Sequence, residues 1–200
     1  MRRAGAVTLA RDLPACELPL PHETADVTQP IPTAFLDRDG VLNIDRGFVF
    51  RPHELEFVEG AAAAVRLLNE AGYRVVVVTN QSGVARGLYD EIALRSFHEY
   101  MQAELSLHGA RIDAFYHCPH HPEGNVAEFA IECDCRKPKA GLLEQAVREQ
   151  PAERSRSFLI GDREADMAAA AAFGVRGILF DHRSQSLLSV VRNAIEDLAA

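Results

Sequence analysis

The sequence predicts an α/β protein built around a mainly parallel sheet. Three observations carry that expectation. From Ile31 onward, short apolar strand patterns alternate with helical ones, the order that βα units produce. Val75-Val76-Val77-Val78 is an unbroken β-branched run, as expected of a strand covered on both faces. Finally, three apolar segments end in polar clusters: Asp37 and Asp39, then Thr79 and Asn80, then Asp162. In an open α/β sheet the carboxyl ends of the strands share one edge, and ligands bind there.

The elements follow in order. Residues 1–30 hold Pro14, Pro19, Pro21 and Pro30 with no sustained period and read as an irregular N-terminal extension. Cys16 lies within it without an evident partner. Residues 31–200 form the folded domain, and its first strand covers 31–36. A loop-rich excursion over 40–58 contains Gly47 and Pro52. Gly60 opens a helix that places Ala61, Ala64, Val65 and Leu68 on one face, and Gly72 stops it. The Val75–Val78 strand runs into Thr79-Asn80-Gln81-Ser82-Gly83. Asp90 is a helix N-cap, with Ala93, Phe97, Met101 and Leu105 at four-residue spacing behind it. A third strand is expected over 112–116, a helix over 142–147, and a short buried strand over 158–160 that leads into Gly161-Asp162. An alanine-rich helix, a strand over 178–180 and a last helix with Leu187, Leu188, Val191, Ile195 and Leu198 complete the chain. Connections between parallel strands should be right-handed.

Composition narrows the function. The net charge of −8 argues against a nucleic-acid-binding surface, which is normally basic, and so against a zinc-stabilised nucleic-acid-binding module. It leaves room for an anionic substrate in a local cationic pocket. No apolar run approaches the roughly 20 residues of a membrane helix, and Arg11-Asp12 interrupts the short apolar start. The chain reads as a cytoplasmic monomer with no membrane or nucleic-acid partner.

Phe35-Leu36-Asp37-Arg38-Asp39-Gly40 places two carboxylates at the end of the first strand. Such a pair can share a hard cation and leave one oxygen free to attack, although Asp-x-Asp-Gly also occurs in surface turns and calcium loops. With Thr79, Asn80, Asp162 and the Arg136-Lys137 pair, the strand ends hold an inventory that suits magnesium and a phosphate. In that chemistry Asp37 attacks phosphorus, while Asp39 protonates the leaving oxygen and later takes a proton from water. Magnesium is held by Asp37 and Asp162. Lys137 and Thr79 hold phosphoryl oxygens.

These residues resemble the four motifs of the haloacid dehalogenase superfamily of phosphohydrolases. Asp37-Arg38-Asp39-Gly40 matches the first, Thr79-Asn80 the second, Lys137 the third and Gly161-Asp162-Arg163-Glu164-Ala165-Asp166 the fourth. The resemblance spans residues 33–180. It implies a Rossmann-like three-layer sandwich without a large cap, magnesium dependence and Asp37 as nucleophile. It also implies that Asp39 lends its backbone carbonyl to the metal, making Asp37, Asp39 and Asp162 the magnesium set. Asp166 is read as supporting that set from behind.

Cys118-Pro119-His120 and Cys133-Asp134-Cys135 bring three thiols and an imidazole together, a Cys₃His zinc set with no open position and therefore structural. Unpaired buried cysteines or a disulfide are the alternatives, the disulfide being disfavoured in a reducing cytosol. His121 is the neighbouring candidate; side-chain alternation favours His120, as does the resemblance. The loop leads directly into Arg136-Lys137 and should aim those cations.

Two branches of the superfamily carry such a loop, one acting on heptose 1,7-bisphosphate and one on histidinol phosphate. The runs over 37–43, 45–49, 79–87 and 118–123 resemble the first. That implies removal of the 7-phosphate of D-glycero-D-manno-heptose 1,7-bisphosphate, a step toward nucleotide heptoses and lipopolysaccharide. It also implies substrate contacts at Asp45, Arg46, Gly47, Phe48, Asn80, Gln81, Ser82, Arg136 and Arg163. Arg136 and Arg163 suit the distal phosphate, because a guanidinium fork matches phosphate oxygens. Lys139-Ala140-Gly141-Leu142 departs from the branch's usual x-Pro-Gly-Met and bears on substrate preference, not on the chemistry.

Overall fold

The structure, a computed structural model, describes residues 29–199. Most of the expected N-terminal extension, Cys16 included, lies outside the described residues. Five strands alternate with five helices: β1 (Thr33–Leu36), α1 (Ala61–Glu70), β2 (Arg74–Asn80), α2 (Glu91–Ser106), β3 (Ala114–Cys118), α3 (Gly141–Glu149), β4 (Phe158–Gly161), α4 (Glu164–Phe173), β5 (Arg176–Leu179) and α5 (Leu187–Ala199). The sheet has the order β3-β2-β1-β4-β5, and every strand pair in it is parallel. The chain therefore builds outward on one side of β1, then returns to its other side. That reversal opens a crevice at the carboxyl ends of β1 and β4.

Side chains of successive strand residues point to opposite faces, and two cores result. Ala34, Leu36, Val75 and Val77 pack under α1, α2 and α5, with Leu68, Phe97 and Val191 among the contacts. Phe35, Val76, Val78 and Leu159 pack under α3 and α4 against Leu142, Ala146, Ala170 and Phe173. The α/β three-layer sandwich expected from the sequence is the fold observed. The long excursions over 37–60 and 119–140 do not build a separate large cap.

The Ala61, Ala64, Val65 and Leu68 face is buried as its spacing implied, and the Asp90 carboxylate caps α2 by accepting from the Ala93 amide at 2.7 Å. The boundaries of three strands differ from expectation. β1 begins at Thr33, not Ile31, because Pro32 has no amide hydrogen and Ile31 is left in an isolated bridge to Ala152. β3 covers Ala114–Cys118, two residues later than expected. The Ile112 amide is taken by the Gln102 side chain, and the Asp113 carboxylate accepts from the Val75 amide at 2.8 Å. The ladder therefore starts after Asp113 and runs until Cys118 stands opposite Asn80. β5 likewise starts earlier and ends before the expected Phe180. No helix among the described residues is long and apolar enough to cross a membrane.

Candidate active site

A cavity of about 230 Å³ opens at the carboxyl edge of the sheet. Asp37 reaches it from the end of β1, where its backbone amide is still tied to the Ile160 carbonyl at 2.9 Å. Thr79 reaches it from β2, and Lys137 from the loop before α3. Asp37 Oδ1 accepts from the Arg38 amide at 2.8 Å and lies 3.0 Å from Lys137 Nζ. The lysine is almost wholly buried and touches Asp166 Oδ1 at 2.5 Å and the Val78 carbonyl at 2.8 Å. The ammonium is therefore met by two carboxylate oxygens and one carbonyl. Burial raises the Asp37 pKa to about 6, with Asp166 adding to the rise and Lys137 opposing it. Burial also opposes the Lys137 charge, but Asp37 and Asp166 more than compensate and its pKa is raised. The result is a carboxylate held against a cation in a dry site, where electrostatic interactions are strong.

Asp39 is anchored differently. Arg38 Nη2 meets its two carboxylate oxygens at 2.9 and 2.8 Å, and Arg38 Nε reaches Oδ1 at 3.2 Å. Asn43 Nδ2 donates to Oδ1 at 3.0 Å and Gln81 Nε2 to Oδ2 at 2.9 Å. Burial alone would raise its pKa, but Arg38, Asn43 and Gln81 outweigh that and lower it. The same Gln81 nitrogen donates to Thr79 Oγ1 at 2.9 Å, and the Tyr89 hydroxyl donates to Gln81 Oε1 at 2.6 Å. Burial lifts the Tyr89 hydroxyl to about 12, so it remains a donor and fixes which way the Gln81 amide faces.

Oxygen donors for a divalent cation cluster beside Asp37. Carboxylate oxygens of Asp37, Asp162 and Asp166 lie within 4.8 Å of one another. Asp162 Oδ1 is buried without a hydrogen-bond partner among the described residues. A buried unpaired carboxylate oxygen is costly unless a cation meets it, so this donor set fits a hard divalent ion. Burial raises the Asp162 pKa, against the pull of Arg163. Gly40 makes room for that carboxylate: with φ of 83°, a Cβ there would stand 2.3 Å from Asp162 Oδ2. The resemblance gives the magnesium set the backbone carbonyl of Asp39, and the Asp39 carboxylate is engaged by Arg38. Only the backbone carbonyl, which takes no hydrogen bond from the described residues, remains as a donor. Asp166 joins the cluster itself while also accepting from the Arg163 amide at 3.1 Å.

Of the expected substrate contacts, Asp45, Gly47, Phe48, Asn80, Gln81, Ser82, Arg136 and Arg163 line the cavity. Arg46 does not. Its guanidinium pairs with Glu56 on an exposed surface, so Arg46 is the one expected contact that is not on the cavity wall. Asn80 has a second task. Its amide donates to the Lys137 carbonyl at 3.0 Å and accepts from the Lys137 amide at 3.1 Å, which pins the lysine's backbone to β2. At the mouth, Arg163 Nη2 bonds Asp45 Oδ2 at 2.7 Å, and Phe48, half exposed, adopts a positive φ of 52°. Tyr89 and Ala165 also line the cavity. Nothing in the sequence marked Tyr89 apart from ordinary core aromatics.

Beside the cavity, Cys118, His120, Cys133 and Cys135 place one donor atom each within 4.8 Å of the others. Sulfur–sulfur separations are 3.2–3.5 Å, and His120 Nδ1 lies 3.3 Å from Cys135 Sγ. All three thiols are free. Ligand atoms about 2.3 Å from a tetrahedral centre would stand nearly 4 Å apart, so a small contraction of the metal-bound geometry gives the spacing seen. Hydrogen bonding to Cys118, then burial, pushes the Cys135 thiol upward; three thiolates this close need a cation between them. His121 turns away toward Arg86, with 3.4 Å between Nε2 and the guanidinium. The loop is joined to the cavity through Arg136, which donates to the His120 carbonyl at 3.3 Å.

Comparison with known proteins agrees with this geometry. Residues 134–185 match the family model described as HAD-hydrolase-like. Over 149 residues the chain is 44% identical to the D-glycero-beta-D-manno-heptose-1,7-bisphosphate 7-phosphatase of Yersinia pestis, covering 74% of this chain and 79% of that protein. The enzyme of the same name from Rhodopseudomonas palustris is 45% identical over 150 residues, covering 75% and 83%. Among solved structures, the D,D-heptose 1,7-bisphosphate phosphatase from B. bronchiseptica, complexed with magnesium and phosphate, superposes with a TM-score of 0.73 at 31% identity. That match covers 84% of this chain and 99% of the other.

Proposed function

Since the chain belongs to the HAD-like phosphatases, in the branch that holds the heptose-bisphosphate enzymes, we propose that it removes the 7-phosphate of D-glycero-D-manno-heptose 1,7-bisphosphate. The observation that carries this reading is a single cavity holding a buried carboxylate on a buried lysine, Asp37 and Lys137, below two arginines, Arg136 and Arg163. The lower pair suits the reacting phosphate and the arginines the distal one.

In the first half-reaction an Asp37 oxygen attacks phosphorus and the bond from phosphorus to the sugar oxygen breaks. The departing electron pair takes a proton from Asp39, and Asp37 carries the phosphoryl group as an acyl phosphate. Water then attacks phosphorus and gives its proton to Asp39. The bond to Asp37 breaks, phosphate leaves, Asp37 is again a free carboxylate, and Asp39 returns to solvent the proton it took up when the substrate bound. Asp39's lowered pKa gives a resting anion, and an approaching phosphoryl anion raises that pKa so that the proton is available for the first half. Lys137 and Thr79 hold phosphoryl oxygens as charge gathers on them. Asp37 and Asp162 with the Asp39 carbonyl would hold magnesium, which supplies charge neutralisation and polarises the phosphoryl oxygens; Asp166 orients Lys137 behind them. The Cys118, His120, Cys133 and Cys135 set would hold a structural zinc ion, fixing the loop that carries Arg136. The protein is read as a cytoplasmic monomer.

Magnesium-dependent phosphate release tests the substrate. Heptose 1,7-bisphosphate should be hydrolysed with much the larger kcat/KM, and a preference for histidinol phosphate would overturn the assignment.

A further inference from the structure

Arg38 is the largest side chain buried without any exposure, and it is a charged one. Burying an unpaired guanidinium would be prohibitive, so its partners matter. Nε and Nη2 clamp Asp39, and Nη2 also donates to the Val49 carbonyl at 2.7 Å. Nη1 reaches Nε2 of His98 at 3.2 Å. The guanidinium also lies over the Phe97 ring, 5.0 Å from its centroid. An arginine nitrogen is always a donor, so His98 Nε2 must be the acceptor, with the imidazole proton on Nδ1. His98 sits on α2, outside the cavity wall, buried and stacked on Phe115 at 4.6 Å. Burial, then the Arg38 charge, pushes its pKa down to about 2. It is a neutral acceptor at any working pH.

We propose that Arg38 and His98 are positioning residues for the acid/base carboxylate, with the His98 imidazole orienting the guanidinium fork that aims Asp39. This inference rests on the assignment of Asp39 as acid and base. His98 accepts the Nη1 hydrogen, which fixes the plane of the guanidinium, and the fork then holds both Asp39 oxygens. Removing the acceptor leaves a buried donor unsatisfied, and the arginine turns to find another partner. Asp39 follows it, while Lys137 keeps Asp37, Asp166 and the Val78 carbonyl as its partners.

The leaving group reads this out. Transfer of phosphate from a sugar alcohol needs a proton for the departing oxygen, whereas 4-nitrophenolate leaves unaided. The kcat/KM value reports steps through that transfer. His98→Phe keeps the stacked ring and deletes the acceptor. It should lower kcat/KM for a sugar phosphate by roughly tenfold, below the ~100-fold or more that general acid catalysis contributes, and change that for 4-nitrophenyl phosphate by less than about twofold. His98→Gln, whose side-chain oxygen can stand near the Nε2 position, should restore most of the loss. Arg38→Lys, which keeps the charge but not the fork, should show the same contrast if His98→Phe folds poorly. Equal losses on both substrates, or no loss on either, would overturn the proposal. Asp39→Asn separates the two ideas. If it shows the contrast and His98→Phe does not, only the positioning role falls; if it shows none, the acid/base assignment falls with it.

Discussion

The floor and the mouth of the cavity are built in opposite ways. On the floor, Asp37, Lys137 and Asp166 are buried and tied to one another and to strand backbone. At the mouth, the Arg163 side chain is 66% exposed and is held by ion pairs to Asp45 at 2.7 Å and, more loosely, to Asp162 at 3.7 Å, while Phe48 stands half in solvent. A floor organised before substrate arrives can stabilise a developing charge without reorganising. The exposed mouth is free to change partners, because a surface ion pair is worth little. Chemistry and selectivity are thereby separated along the depth of one cavity.

Substitutions on the floor should be the most damaging. Asp37→Asn removes the nucleophile and should lower kcat by ~10⁴-fold or more, measured by phosphate release; appreciable turnover would break the contrast at its deepest point. Lys137→Met leaves two carboxylates buried beside each other without their cation. It should cost about 3–5 kcal/mol of stability as well as activity, read by urea denaturation and by kcat. Between floor and mouth lies the cysteine loop. Cys133→Ser should reduce bound zinc and lower kcat/KM together, by roughly tenfold if the loop positions Arg136, and full activity without zinc would show that the loop does not aim it. Arg163→Ala, at the mouth, should raise KM for a bisphosphate by about tenfold, the worth of a charge-assisted hydrogen bond, with kcat little changed. Arg46→Ala should do least. Its guanidinium faces Glu56 in solvent, so KM and the denaturation midpoint should stay where they are.

The floor was legible in the sequence for a topological reason. A parallel sheet forces the carboxyl ends of β1, β2 and β4 onto one edge, so Asp37, Thr79 and Asp162 had to meet whatever their side chains did. The zinc candidates were legible because two short Cys/His runs flank one loop. What escaped depended on rotamers and on contacts between distant segments. Arg46 and Arg163 are both arginines beside the site, and only the positions of Glu56 and Asp45 decide which faces the cavity. Asp166 was read as a support for the metal set, but its hold on Lys137 is set by the loop that Asn80 pins. Tyr89 lies six residues beyond Gly83, and its ring packs so close that a Cβ on that glycine would stand 2.2 Å away. No local pattern signals that approach, or the use of the hydroxyl to orient Gln81. The two-residue displacement of β3 arose in the same way, from the Gln102 and Asp113 side chains capturing backbone amides.

The central claim is that Asp37 itself carries the phosphoryl group. Borohydride added during steady turnover of a sugar phosphate reduces an acyl phosphate to an alcohol and leaves homoserine where the aspartate stood. Mass spectrometry of the peptide spanning residue 37 should then find homoserine at Asp37, formed only when substrate is present. Turnover that continues with Asp37 unmodified, or homoserine at a different carboxylate, would contradict the account.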